Sequence, residues 1–319
     1  MAVYTEVSDV DLRGFVAEYD IGAVLSCKGI AEGVENSNFL IGTERGNFIL
    51  TLYEKRVDPS DLPFFLGLMD HLAARGLACP RPIPGRDGVV LRRLCGKPAA
   101  IIEFLDGLWP RRLTDAHCPG VGNALATLHV AGADFTMHRP NALSVAGWRQ
   151  LLDDVRDRAR EVEPGLAEEL TEEFTALERA WPTDLPTGVI HADLFPDNVF
   201  FKGTEVTGII DFYFACTDAY AYDVATCLNA WCFDDRHRFV PNRALSLLAA
   251  YQAVRPLTPG ERAAMPLLAR GSALRFLLTR LYDWLNQPPG ALVRPKDPRE
   301  YLLKLRFHRT VAGPEVYGL

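Results

Sequence analysis

No stretch of this chain reaches the roughly 18 consecutive apolar residues that a membrane-spanning helix requires. The opening "MAVYTEVSDVDLRG" lacks the basic start and apolar centre of a secretion signal, so a cytoplasmic protein is expected. None of the seven cysteines, at 27, 79, 95, 118, 216, 227 and 232, belongs to a C-x-x-C pair, and their number is odd. That argues against a disulfide framework and against a zinc site, and predicts reduced, buried thiols. Positive charge is not in excess: 34 Lys and Arg stand against 41 Asp and Glu, for a net charge of -7. A nucleic-acid or anionic membrane surface is therefore not expected as the main partner. Internal repeats and low-complexity tracts are also missing. The sequence leaves the oligomeric state open.

What is present is core material: 319 residues, 48% of them hydrophobic, enough for about two domains. Leu12, Phe15, Val16 and Tyr19 fall at helical spacing behind Ser8 or Asp9 as cap. From Gly22 to Glu54 the runs "GAVLSC", "SNFLIGT" and "NFILTLYE", broken by Gly- and Asn-containing turns, predict an antiparallel meander. Leu62, Phe65, Leu66, Met69 and Leu72 return to helical spacing, and "GVVLRRLCG" and "PAAIIEFLDG" predict two further strands. Beyond "DGLWP" the chain reads as helical, with one strand pair, "VIHADLFPDNVFF" and "VTGIIDFYF", turning at "KGTE". The expected fold is α+β and bilobal. A sheet lobe at 1–105 would meet a mainly helical lobe at 106–319 across a cleft, the place where ligands usually bind.

His191-Ala192-Asp193-Leu194-Phe195-Pro196-Asp197-Asn198 has the spacing H-x-D-x-x-x-x-N, and Asp211 follows in "IIDFYF". Phosphoryl transfer needs an acid that orients a hydroxyl and oxygen ligands that hold Mg²⁺ against nucleotide phosphates. Asp193 is the candidate base; Asn198 and Asp211 are the candidate metal ligands, brought together by the hairpin. Asp211, set among apolar residues, is expected to be buried. Asp197 reads as a turn cap.

These residues resemble the protein-kinase-like phosphotransferases, the family of aminoglycoside phosphotransferases and choline kinases. "LATLHVAG" and Tyr222-Asp223-Val224-Ala225 match that family's pattern as well, and the similarity spans nearly the whole chain. The blocks "ENSNFLIGT", "FILTLYEKR", "DLPFFLGLMDHLAARGLACPRPI", "RPNALSVAGW" and "ALRFLLTRLYDW" are most similar to the bacterial homoserine kinases of this fold. The resemblance implies a protein-kinase-like fold, ATP and Mg²⁺, and transfer of the γ-phosphate to the hydroxyl of L-homoserine in threonine biosynthesis. Choline, an aminoglycoside, or nucleotide binding without catalysis are the alternatives. In the family the residue at His191 props the catalytic loop or moves a proton, and the residue at Asp223 accepts from that loop's backbone.

The family's strand lysine and helical glutamate are both missing. Thr51 stands at the first place, and phenylalanine lies near the second. Lys28, Lys55 or Arg56 would have to supply the lost charge, or the chain has kept nucleotide binding alone. The loop "GIAEGVENSNF" has no G-x-G-x-x-G spacing, with only Gly29 and Gly33. Asn36, Ser37, Asn38 and Thr51 are read as phosphate contacts or as an ordinary polar hairpin tip. Adenine is expected against the backbone of Glu103 and Leu105.

The substrate reading turns on charge. The segment from 291 to 319 has six Lys and Arg against three Asp and Glu, a poor match to a polycation. Trp231, Trp284 and Tyr222 keep an aromatic cage for choline open. A zwitterionic amino acid needs a cation for its carboxylate and an acid for its ammonium. Arg139, Arg275, Arg280 and Asp283 are the candidates, with Asp218 facing substrate or capping the next helix. Arg280 and Asp283 share one helix face, either as substrate contacts or as a surface ion pair.

Overall fold

The computed structural model describes residues 5–30, 36–54, 58–287 and 295–319. The first helix, α1 (Asp9–Val16), begins where the Ser8 hydroxyl accepts the Asp11 N–H at 3.1 Å, and Leu12, Phe15 and Val16 form its buried stripe. That stripe packs on an antiparallel sheet of β1 (Val24–Gly29), β2 (Ser37–Thr43), β3 (Gly46–Leu52), β4 (Arg92–Leu94) and β5 (Lys97–Glu103), ordered β1-β2-β3-β5-β4. Side chains alternate across a strand. Phe39, Ile41, Leu50, Leu52 and Ile101 therefore meet α1, while Tyr53 and Ala100 join the apolar core of the helical lobe. Helix α2 (Leu62–Ala74) sits between β3 and β4 in sequence, but its Phe64, Phe65, Leu68 and Leu72 also belong to that larger core.

The connector after β5 is stitched to the second lobe by a backbone bridge, Leu108 N–H to Phe201 carbonyl at 3.1 Å and the reverse at 3.0 Å. The second lobe holds α3 (Cys118–Ala131), α4 (Val145–Val155), α5 (Leu166–Ala180), α6 (Tyr220–Trp231), α7 (Pro241–Val254), α8 (Pro259–Leu285) and α9 (Arg299–Arg309). Helix α8 starts on a capping box between Thr258 and Glu261. It buries Leu274, Leu277, Leu278 and Leu281, as its spacing predicts. The neighbouring face is also covered: α9 packs on it, with the Phe276 and Tyr301 rings 5.1 Å apart.

Two strand pairs replace the single pair expected. Strands β7 (Val199–Lys202) and β8 (Glu205–Ile209) form the "KGTE" hairpin, while β6 (Thr187–Ile190) pairs with β9 (Cys216–Ala219). The reason is local: Ala192 adopts φ +62° and Pro196 opens a short 3₁₀ turn, so no strand continues from Ile190 to Val199. The H-x-D-x-x-x-x-N motif is thereby a loop hung between two sheets. Five cysteines are buried, but Cys27 and Cys95 are exposed, because Cys27 lies on the exposed edge strand β1 and Cys95 in the turn between β4 and β5. No described helix is long and apolar enough to cross a membrane.

Candidate active site

The loop from His191 to Asn198 is held from beneath by one carboxylate. Asp223, fully buried on α6, accepts the N–H groups of His191 at 2.7 Å and Ala192 at 2.9 Å. The buried His129 on α3 adds its Nε2 at 3.1 Å. Burial alone would raise the Asp223 carboxyl, but these hydrogen bonds and nearby imidazoles hold it below its ordinary value. It remains an anion, which its acceptor role requires.

His191 is fully buried with both ring nitrogens engaged: Nδ1 accepts the Asp193 N–H at 3.3 Å, and Nε2 lies 3.0 Å from the Ile210 carbonyl. A carbonyl only accepts, so Nε2 carries the proton. Burial lowers its pKa, against the pull of Asp223, and favours the neutral ring. These contacts tie the loop to the end of β8 and put His191 behind the cleft as a brace; its ring has no nitrogen left to exchange a proton with a ligand.

Asp193 is partly exposed, with 19% of its side chain accessible. The Asn198 amide nitrogen donates to the Asp193 carbonyl at 2.9 Å and reaches its Oδ2 at 3.4 Å. That orientation leaves the Asn198 amide oxygen for another partner. The hairpin expectation holds, since Ile210 N–H donates to the Asn198 carbonyl at 3.0 Å, which sets Asp211 next to the loop. Asp211, however, is exposed and not buried: at φ +65° it turns out of the apolar run before Phe212 goes into the core. An exposed carboxylate and an amide oxygen are hard donors suited to Mg²⁺ that arrives with phosphate and water ligands. Among the described residues no cluster of three or more His, Cys, Asp or Glu would hold a metal by itself.

In the small lobe, Thr51 is buried where the family lysine would stand, and its hydroxyl donates to Asn38 Oδ1 at 2.8 Å across the β2–β3 pair. Its surroundings are aromatic: the Tyr213 ring meets Tyr53 and Phe65 edge-on, each at 5.6 Å. Asn36 and Ser37 are engaged elsewhere, Asn36 Oδ1 with the Glu54 N–H at 3.3 Å and the Ser37 hydroxyl with Glu54 Oε1 at 2.8 Å. Of the cations considered, Lys28 is exposed on β1; Lys55 and Arg56, like Gly33, lie outside the described residues. Glu103 gives its N–H to Arg81, while Leu105 packs so closely on Gly208 that a Cβ there would meet it at 2.5 Å. A cavity of about 680 Å³ opens beside them, lined by Phe104, Leu105, Trp109, His117 and Phe200.

A second cavity, about 250 Å³, is lined by Asp58, Asp61, Phe65, Arg139, Asn141, Tyr213 and Arg275 among others. Arg275 connects it to Asp193: its Nη1 donates to the Ala192 carbonyl, and its Nη2 lies 3.9 Å from Asp193 Oδ1. Arg139 pairs with Asp61 at 2.7 Å, and Asn141 donates to Asp218 at 2.8 Å. Arg280 is elsewhere, buried and paired with Glu300 at 2.6 Å, which also binds Lys304 at 2.6 Å. Asp283 is exposed, and neither it nor Arg280 lines either cavity. The surface ion pair considered for them gives way to Arg280–Glu300, because α9 covers that face. The aromatic cage does not assemble: Trp231 is buried and donates to the Leu194 carbonyl, Tyr222 packs on Trp181, and Trp284 is exposed. Asp58 and Asp61 escaped the sequence reading because "DPSDLP" has the appearance of an ordinary helix entry.

A family model described as phosphotransferase enzyme family matches residues 26–257. The homoserine kinase of Rhodospirillum rubrum is 63% identical over 319 residues, covering 100% of this chain and 99% of that protein. Among solved structures, an aminoglycoside phosphotransferase from Alicyclobacillus acidocaldarius superposes with a TM-score of 0.66 at 14% identity, covering 92% of each chain. The choline kinase of Cryptosporidium parvum gives 0.64 at 15%, covering 89% of this chain and 88% of its own. At such identities the structures bear on the fold alone, which is that of the protein-kinase-like phosphotransferases.

Proposed function

The chain belongs to the phosphotransferase enzyme family, and from that membership and the geometry around Asp193 we propose that it is an ATP-dependent homoserine kinase producing O-phospho-L-homoserine. The reading rests on one arrangement: Asp193, Asn198 and Asp211 sit around a single hairpin, next to a small cavity that offers both arginine and aspartate side chains. Asp193 orients the substrate hydroxyl and takes its proton as the oxygen attacks the γ-phosphorus. Asn198 and Asp211 would hold Mg²⁺, which when bound offsets the charge of the phosphates. His191, Asp223 and Arg275 keep the loop in place. The adenine base lies along the connector at Glu103 and Leu105, with Phe104 and Phe200 as apolar walls; because the Glu103 N–H is taken by Arg81, its carbonyl is the group available to the purine. Of the polar residues at the β2–β3 tip, Asn38 is the candidate for phosphate oxygens, because it is only partly buried, whereas Thr51 is buried with its hydroxyl given to Asn38. Such a reaction belongs to threonine biosynthesis in the cytoplasm.

The substrate side supports an amino acid over its rivals. Arg139 and Arg275 line the smaller cavity, which suits a carboxylate and disfavours a polycation, and the aromatic cage that choline would need does not assemble. The basic residues near the C-terminus are already paired, Arg306 and Arg309 with Glu169 and Lys304 with Glu300, and add nothing against a polycation. Mg-ATP-dependent ADP release, measured against homoserine, threonine, choline, ethanolamine and kanamycin, tests the reading. Turnover of choline without homoserine would overturn it, and turnover of none would leave a nucleotide-binding module.

A further inference from the structure

The Asp61 carboxylate occupies the N-cap position of α2 and yet makes no cap hydrogen bond. An aspartate there ordinarily accepts a backbone N–H of the first turn. Here the carboxylate turns instead to Arg139 Nε at 2.7 Å, across the wall of the smaller cavity. Arg139 itself is fixed from behind: its Nη1 donates to the Ala215 carbonyl at 3.2 Å, its own carbonyl accepts the Thr217 N–H at 2.6 Å, and its guanidinium lies over the Phe65 ring at 5.0 Å. Arg275 lines the same cavity. Its Nε is buried with no hydrogen-bond partner among the described residues, and its Nη2 lies 3.9 Å from Asp193.

A cavity walled by a preformed Arg–Asp pair is complementary to a ligand that carries both charges. A zwitterion can satisfy each wall residue with its opposite charge, so that closure leaves no ionised group desolvated and unpaired. A ligand with only one of the two charges strands the other wall residue. We propose that the Arg139–Asp61 pair is the amino-acid recognition element, with the substrate carboxylate taking over Arg139 and its ammonium taking over Asp61. The proposal rests on the amino-acid kinase reading and assigns the substrate contacts to the α2 entry and the 139–141 segment, in place of Arg280 and Asp283. Arg139 has the geometry for this role, since a guanidinium grips a carboxylate through two parallel hydrogen bonds.

Two homoserine analogues separate the charges. 3-Aminopropan-1-ol lacks the carboxylate, and 4-hydroxybutanoate lacks the ammonium. The wild-type protein should prefer homoserine to either by at least about 100-fold in kcat/KM, since a site built around a polar group rejects the analogue that lacks it. Arg139→Gln should lose most of its homoserine kcat/KM and bring the ratio to 3-aminopropan-1-ol within about tenfold, while Asp61→Asn does the same for 4-hydroxybutanoate. The KM for ATP serves as the check that both variants fold. The double variant Arg139→Asp with Asp61→Arg re-forms an ion pair and should regain thermal stability without regaining homoserine turnover. If each single variant loses activity equally on homoserine and the analogue, or if the double variant recovers homoserine turnover, the pair is structural and the proposal is overturned. Failure of the wild-type protein to use homoserine at all would overturn the kinase reading first, an outcome distinct from active wild-type enzyme with unchanged ratios.

Discussion

The Arg275 guanidinium donates to the carbonyl of Ala192, the residue that turns the chain at positive φ between the His191 brace and Asp193, the proposed base. Asp223 holds the N–H of the same residue from the other side. The loop is thus clamped at both its polar groups, and a non-glycine residue stays in the left-handed region because its neighbours hold it there.

Arg275→Met should test the upper clamp. The methionine keeps most of the buried volume but leaves the Ala192 carbonyl without its donor, and Asp193 loses a neighbouring cation. We expect kcat to fall about 100-fold, as a displacement of the base by an ångström would produce, with KM for ATP changed little. Steady-state kinetics at saturating ATP would check this; an unchanged kcat would mean that Asp223 alone fixes the loop.

Asp193→Asn should lower kcat by about 10²- to 10⁴-fold, the range for a lost general base, with nucleotide affinity retained. His191→Asn should behave differently. Because both ring nitrogens are bound within the protein, its loss should lower kcat without moving the pH–rate profile, whereas a shifted profile would show that the imidazole exchanges a proton with substrate.

Much of this arrangement was legible in the sequence because it is local. The H-x-D-x-x-x-x-N spacing and the "KGTE" turn place Asp193, Asn198 and Asp211 within one hairpin, and the helical spacing of Leu274, Leu277, Leu278 and Leu281 marks the buried stripe of α8. What was illegible depends on distant packing. Arg280 is held away from the smaller cavity by Glu300 on α9, and Asp61 meets Arg139 over 78 positions of chain. Nor does an apolar neighbourhood in sequence bury Asp211, since a single positive φ turns the carboxylate outward while Phe212 turns in.

The missing lysine is a change of environment and not a vacancy that another lysine would fill. Thr51 is 1% exposed, bonded to Asn38, and in contact with Tyr213, whose ring packs edge-on against Tyr53 and Phe65. Thr51→Lys would place a cation there with no helical glutamate to receive it, and a buried unpaired charge destabilises by several kcal/mol or loses its proton. We expect a clearly lowered melting temperature and no gain in ATP affinity, measured by thermal melts and nucleotide titration. A tighter-binding, equally stable variant would show that the aromatic cluster yields to the older ion pair.

Stability should fall on mild acidification, because His129, His191 and His308 are all buried and all titrate below their ordinary value of 6.5. Burial is the leading cause in each case, and for His308, held between Tyr317 and Asn229, it acts with Lys304 to push the value down to about 3. The unfolded chain therefore binds protons below about pH 6.5 that the native state refuses, so the native state's advantage is complete above that pH and shrinks as pH falls toward the folded values. His308 alone contributes a slope of about 1.4 kcal/mol per pH unit over this range, and His129 and His191 add to it in the same direction. Denaturant melts between pH 8 and 5 should show a plateau above neutrality and a steep decline below pH 6, and His308→Gln should reduce the slope by one proton. A flat profile down to pH 5 would show that these imidazoles charge within the folded protein.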